Sequence, residues 1–284
     1  MQDILFETSI AKRLKTRRVP STPRSSRKKR SIGDHTIFWE TGSTLRISFT
    51  GHPEEDLKQA IVAVARAWLV HANLDFELVD DDDQSADIRI DTAVPPDFNE
   101  SALGLVARNM DGPSMSLGVR PADEHFRRIV LHEFGHALGM IHEHQHPMAN
   151  IPWDLEALRA RFTGRLAPEA TTDEELDEMI EETSDEELDE MIEETSDEEL
   201  DEMIEDMSDE EFEAMIEEMI AINYLPIAAQ GFVTLDYDPT SIMHYPVKQE
   251  LTLGDWEVLG NDELSAKDKQ FMRMAYPGRE KIED

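Results

Sequence analysis

An α+β fold is what this sequence predicts, and three observations predict it. Segments with a two-residue apolar period and segments with a helical period alternate through the first half of the chain. With 284 residues, 39% of them hydrophobic, the chain can fill one good-sized core. Its net charge of −36 is concentrated: residues 171–218 hold 27 Asp or Glu and no Lys or Arg, so the remainder is ordinary in charge.

The element order follows from local pattern. Residues 1–30 become strongly basic from Lys12 onward and end in RSSRKKR, with prolines and serines that discourage packing; they read as a flexible arm or a pro-segment. RKKR at 27–30 is also a candidate processing site or an import or polyanion-binding patch. TLRISFT at 44–50 puts Leu45, Ile47 and Phe49 on one face, a half-buried strand. From Glu54 to His71, Leu57, Ile61, Val64 and Trp68 recur at helical spacing. FELV (76–79), ADIRI (86–90) and SMSLGV (114–119) read as further strands. A second helix is expected after Pro121, capped by Asp123, running through FRRIVLHEFGHAL to Gly139. A last helix, capped by Ser265, covers AKDKQFMRMAY and stops before Pro277.

Four copies of a twelve-residue unit fill 171–218, each with a Thr or Ser three residues before a Glu, the capping-box pattern. Twelve residues make about 3.3 helical turns, so one continuous helix would rotate Leu188, Met191 and Ile192 away from their counterparts. Short capped helices suit the pattern better, and like charges four residues apart repel. No calcium-loop pattern accompanies the units. They read as a solvated insertion, or as a docking site for a basic partner or for the chain's own arm.

Composition excludes several functions. There is no cysteine, hence no disulfide framework, thiolate metal site or cysteine nucleophile. The longest apolar run, 60–70, is broken by Arg66 and too short to span a bilayer, and the N-terminus lacks a secretory signal's order. No membrane partner is expected, and a cytoplasmic location is the default. Nucleic acid is not an expected partner either, because the ten basic residues of the arm have no aromatics for stacking and the rest of the chain is acidic.

The chemistry sits in HEFGHALGMIHEHQH at 132–146. His132 and His136, four apart on the second helix, share a face and can reach one ion. Glu133 is aimed differently and can meet a water beside the metal. Gly139 ends the helix in a left-handed turn, and the chain then brings His142 in as a third ligand, leaving a fourth position open as a catalytic zinc site requires. Imidazole ligation suits copper, nickel or iron too; with no redox motif in view, one zinc ion is the expectation. His144 and His146 fall outside the spacing and are expected to be hydrogen-bond donors behind the ligands or surface residues rather than to bind metal.

Those residues, with SIMHY at 241–245, resemble the metzincin zinc endopeptidases, and Glu143 directly after the third histidine points to the astacin-like branch. WETGSTLRISF, ADIRI, HEFGHALGMIHEHQHP, SIMHYP and NDELSAKDKQFMRMAYP are similar to a compact, cysteine-free microbial group of these peptidases over roughly residues 37–170 and 219–277. The resemblance implies a metallopeptidase domain over 31–284, interrupted by the acidic repeats. Within it a twisted mixed sheet, a backing helix, an active-site helix and a smaller C-terminal subdomain with a Met-turn are expected. Met243 would lie in that turn, Tyr245 would be a displaceable zinc ligand and oxyanion stabiliser, and Glu143 would contact a mature N-terminus. The reaction implied is hydrolysis of a protein or peptide by a zinc-activated water with Glu133 as general base. MSLG at 115–118 would be the sheet edge that receives the substrate. The alternative is a non-catalytic zinc-binding module whose repeats bind basic proteins. Retention of Glu133 weighs against it, because a structural zinc site has no use for a base.

Overall fold

The computed structural model describes residues 37–166, 208–227 and 235–278; the basic arm and the first three repeats lie outside them. Contacts divide the chain into two units, one of Met1–Ile151, Pro226–Lys248 and Trp256–Asp284, the other of Pro152–Leu225 and Gln249–Asp255.

The larger unit contains a five-stranded mixed sheet. Its strands are β1 (Thr44–Phe49), β2 (Asp75–Leu78), β3 (Ile88–Asp91), β4 (Asn99–Ser101) and β5 (Met115–Leu117), in the order β2-β1-β3-β5-β4. Every neighbouring pair is parallel except β4 with β5. Leu45, Ile47 and Phe49 are all at or below 1% exposure, as the apolar period of β1 predicted. Ser48 on the opposite face is 1% exposed too, so the second half of this central strand is buried on both faces and not half-buried.

MSLG is not the edge of this sheet. β5 pairs with β3 on one side and with β4 on the other, Glu100 opposite Ser116, so β4 is the edge. The segment NES carries no apolar alternation, which is why sequence pattern missed it; pairing with β5 is what makes it a strand.

Helix α1 (Glu55–Ala65) is shorter than its apolar period suggested. It gives way to a 3-10 turn, Trp68–Val70, that seats the Trp68 indole so that its N–H donates to the Leu131 carbonyl at 3.0 Å. That bond ties the backing helix to α2 (Phe126–Ala137). Asp123 does not cap α2. Its carboxylate accepts from the Arg120 N–H at 2.6 Å, closing the preceding turn, and His125 occupies the cap position without a side-chain bond.

The smaller unit contains α3 (Leu155–Leu166), which sequence pattern did not single out, and α4 (Asp209–Asn223). α4 begins inside the fourth repeat. Ser208 accepts from the Glu211 N–H while the Glu211 carboxylate accepts from the Ser208 N–H, so this copy starts with a complete capping box. Ile216, Met219 and Ile220 are buried.

Helix α5 (Ala266–Ala275), in the larger unit, opens with a second capping box, Ser265 with Asp268. Among the described residues no helix is long and apolar enough to cross a membrane.

Candidate active site

Helical periodicity sets the first half of the site. His132 and His136 lie one turn apart on α2, both buried, with ring centroids 4.7 Å apart. Each ring is oriented by a backbone carbonyl: His132 Nδ1 donates to Ile242 O at 2.9 Å and His136 Nδ1 to Met140 O at 2.8 Å. A carbonyl can only accept, so the proton sits on Nδ1 and each Nε2 keeps a lone pair.

The third histidine is delivered by a glycine turn. Gly139, at φ +89°, donates to His136 O at 2.8 Å while Met140 N–H donates to Gly135 O at 2.9 Å, the paired bonds of a Schellman motif. A side chain at 139 would be strained by that φ and would put its Cβ 2.6 Å from the Phe38 ring. Beyond the turn His142 brings its Nε2 to 3.0 Å from His136 Nε2. One ligand atom from each of His132, His136 and His142 lies within 4.8 Å of the other two.

This donor set fits a metal ion. Two imidazoles on a tetrahedral zinc hold their nitrogens about 3.3 Å apart, close to the 3.0 Å between His136 and His142. His132 Nε2 is buried with no hydrogen-bond partner, and burial pulls the pKa of this histidine down to about 4, so it stays neutral. Next to it Glu133 is 2% exposed, with Oε2 equally lacking a hydrogen-bond partner. Burial, helped by the nearby charge of Glu100, pushes its pKa up to about 8. A cation held by the three imidazoles is the counter-charge that this carboxylate needs.

Tyr245 stands over the cluster, its ring centroid 4.3 Å from His142 and 5.0 Å from His132. Its backbone is held by His244, whose Nδ1 donates to Tyr245 O at 2.6 Å and whose Nε2 accepts from the Tyr237 hydroxyl at 2.8 Å. Met243 is fully buried beneath α2, so close that a Cβ at Gly135 would overlap its Sδ. Gly135 was not singled out from the sequence, although a glycine inside a strong helical pattern is itself a signal of close approach.

His144 and His146 are not in the three-histidine group. His146 is engaged on both sides, Nε2 donating to Leu235 O at 2.8 Å and Nδ1 accepting from Met148 N–H at 3.0 Å. The His144 ring stacks at 5.3 Å on His142. Glu143 accepts from the Asp238 N–H at 2.7 Å, and burial pushes its pKa up to about 8. Its expected contact with an N-terminus falls on residues outside those described.

No family model matches the sequence, and no curated protein does. Solved structures do. A structure of myroilysin, an astacin-family metalloprotease, is 26% identical, with a TM-score of 0.63, covering 87% of this chain and 98% of its own. A second myroilysin crystal structure is 27% identical at a TM-score of 0.52, covering 86% of this chain and 87% of its own. High choriolytic enzyme 1, a hatching-enzyme zinc-protease of the medaka fish Oryzias latipes, aligns over 89% of this chain and all of its own at 14% identity and a TM-score of 0.49, too remote to argue from.

Proposed function

We propose that this chain, an astacin-like zinc metalloendopeptidase of the metzincin type, cleaves extended protein segments with Glu133 as general base and Tyr245 as oxyanion donor. The observation that carries this reading is the convergence of three imidazoles beside a buried carboxylate oxygen that lacks a hydrogen-bond partner.

His132, His136 and His142 would hold the zinc, and Tyr245 would be a further, displaceable ligand. When bound, zinc supplies Lewis acidity that polarises a peptide carbonyl and acidifies a water. Glu133 removes the proton of the attacking water at its unpaired Oε2 and returns it to the leaving amine. The Tyr245 hydroxyl donates to the oxygen on which negative charge develops. Met243 and Gly139 shape the floor and the exit of the active-site helix, in the Met-turn and glycine-turn roles. Glu143, aligned by Asp238, is the carboxylate that would receive a mature N-terminus. The substrate would add to the edge strand β4 by main-chain hydrogen bonds. Repeats 171–218 remain an insertion available to a basic partner.

Casein digestion by the full chain with zinc, run beside Glu133→Ala, tests the reading. Cleavage by the parent and none by the variant is expected. If neither cleaves, residues 31–284 are assayed in the same way; silence there with zinc still bound would turn the reading toward the non-catalytic module.

A further inference from the structure

Asp268 belongs to the last helix and touches none of the three histidines, yet a directed series of hydrogen bonds joins it to one of them. His132 Nδ1–H donates to the Ile242 carbonyl at 2.9 Å. The N–H of that same peptide, on Met243, donates to Ser241 Oγ at 3.0 Å. The Ser241 hydroxyl donates in turn to Asp268 Oδ1 at 2.6 Å. All three bonds point the same way, from the imidazole toward the carboxylate, so each polarises the next.

The far end is firmly held. Asp268 Oδ2 accepts from Ile242 N–H at 2.9 Å and from Ser265 N–H at 2.8 Å, and the side chain is 2% exposed. Burial pushes the pKa of Asp268 up, and the donors that face both of its oxygens, from Ile242, Ser241 and Ser265, pull it back down. Capping α5 needs only one of these bonds. The other two grip the turn that carries Ile242 and Met243.

Metal-binding histidines commonly donate their second nitrogen to a carboxylate, which fixes the ring and raises its basicity. Here the first acceptor is a peptide carbonyl, a weaker one. We propose that Asp268 is a positioning residue for the ligand His132, acting through Ser241 and the Ile242–Met243 peptide to orient the ring and strengthen its hold on the metal. The inference rests on the zinc reading above.

Zinc affinity of the full chain, measured by competition with a chelator, tests it in the parent, Ser241→Ala, Asp268→Asn and Ser265→Ala, with the urea stability of each metal-free protein measured alongside. Ser241→Ala and Asp268→Asn are expected to weaken zinc about 10- to 100-fold. Ser265→Ala removes the α5 cap and its bond to Asp238 but leaves the series intact, so it should lose stability and keep the parent's affinity. Unchanged zinc affinity in Ser241→Ala overturns the proposal, as does an equal loss in Ser265→Ala. If Asp268→Asn does not fold, Ser241→Ala decides. A parent that binds zinc no better than His136→Ala overturns the zinc reading itself, a result separate from the other two.

Discussion

The backbone N–H of Glu143 donates to the carbonyl of Met243 at 2.9 Å. One hydrogen bond thus joins the residue after the third histidine to the methionine beneath the active-site helix, across the whole acidic insertion. The segment delivering His142 is thereby tied to the turn whose Ile242 carbonyl orients His132.

Packing at that turn leaves no room. Ala at position 135 would drive its methyl into Met243 Sδ, so Gly135→Ala is expected to destabilise by about 1–3 kcal/mol, outweighing the roughly 1 kcal/mol that Ala gains over Gly in a helix. Urea denaturation checks the size, and the double variant with Met243→Ala should be non-additive because the second change removes the clash. Additive losses would contradict the overlap.

Turnover and metal binding should separate by residue. Glu133→Gln is expected to reduce turnover by at least about 100-fold with zinc still bound, whereas His136→Ala should lose both. Zinc content after dialysis, set beside peptide cleavage rates, distinguishes them; a Glu133→Gln protein that cleaves at the parent rate would remove Glu133 from the chemistry.

Metal-free stability should depend on pH through Glu133. Its folded pKa of about 8 lies above the ordinary 4.5, so the folded chain keeps a proton that the unfolded chain releases, and the stability it contributes is full below 4.5 and lost as pH rises toward 8. Glu143, raised likewise to about 8, acts in the same direction. His132, depressed to about 4, acts in the other direction: its contribution is present above 6.5 and lost as pH falls toward 4. The metal-free Glu133→Gln variant should therefore gain on the parent between about pH 5 and about pH 8. Urea titrations with chelator present measure this, and a constant difference across the range would be the wrong result.

Substrate should register on β4. Phe98 O and Ala102 N–H bond inward to Gly118 and Ser114, so the alternation of an antiparallel pair turns the N–H and C=O of Ser101 outward. Ser101→Pro removes one outward donor and is expected to lower kcat/KM for a long peptide about tenfold, the worth of one main-chain hydrogen bond, with zinc affinity unchanged. No change in kcat/KM would place the substrate elsewhere.

What could be read from the chain in advance was what depends on neighbours in sequence. A four-residue spacing on a helix, a glycine turn and the next histidine specify the three-imidazole cluster within eleven positions, and the Ser265 and Ser208 capping boxes each span four residues. Tyr245, Met243 and Glu143 were legible only through a family resemblance, since nothing local says what a distant turn packs against. Tertiary structure alone decided the rest. It made NES the sheet edge, turned Asp123 away from α2, pressed Met243 against Gly135, and set Asp268 and Ser241 behind His132. The physical reason is common to all four: each depends on a pairing between remote segments, and the energy of such a pairing appears only when the chain has closed the loop between them.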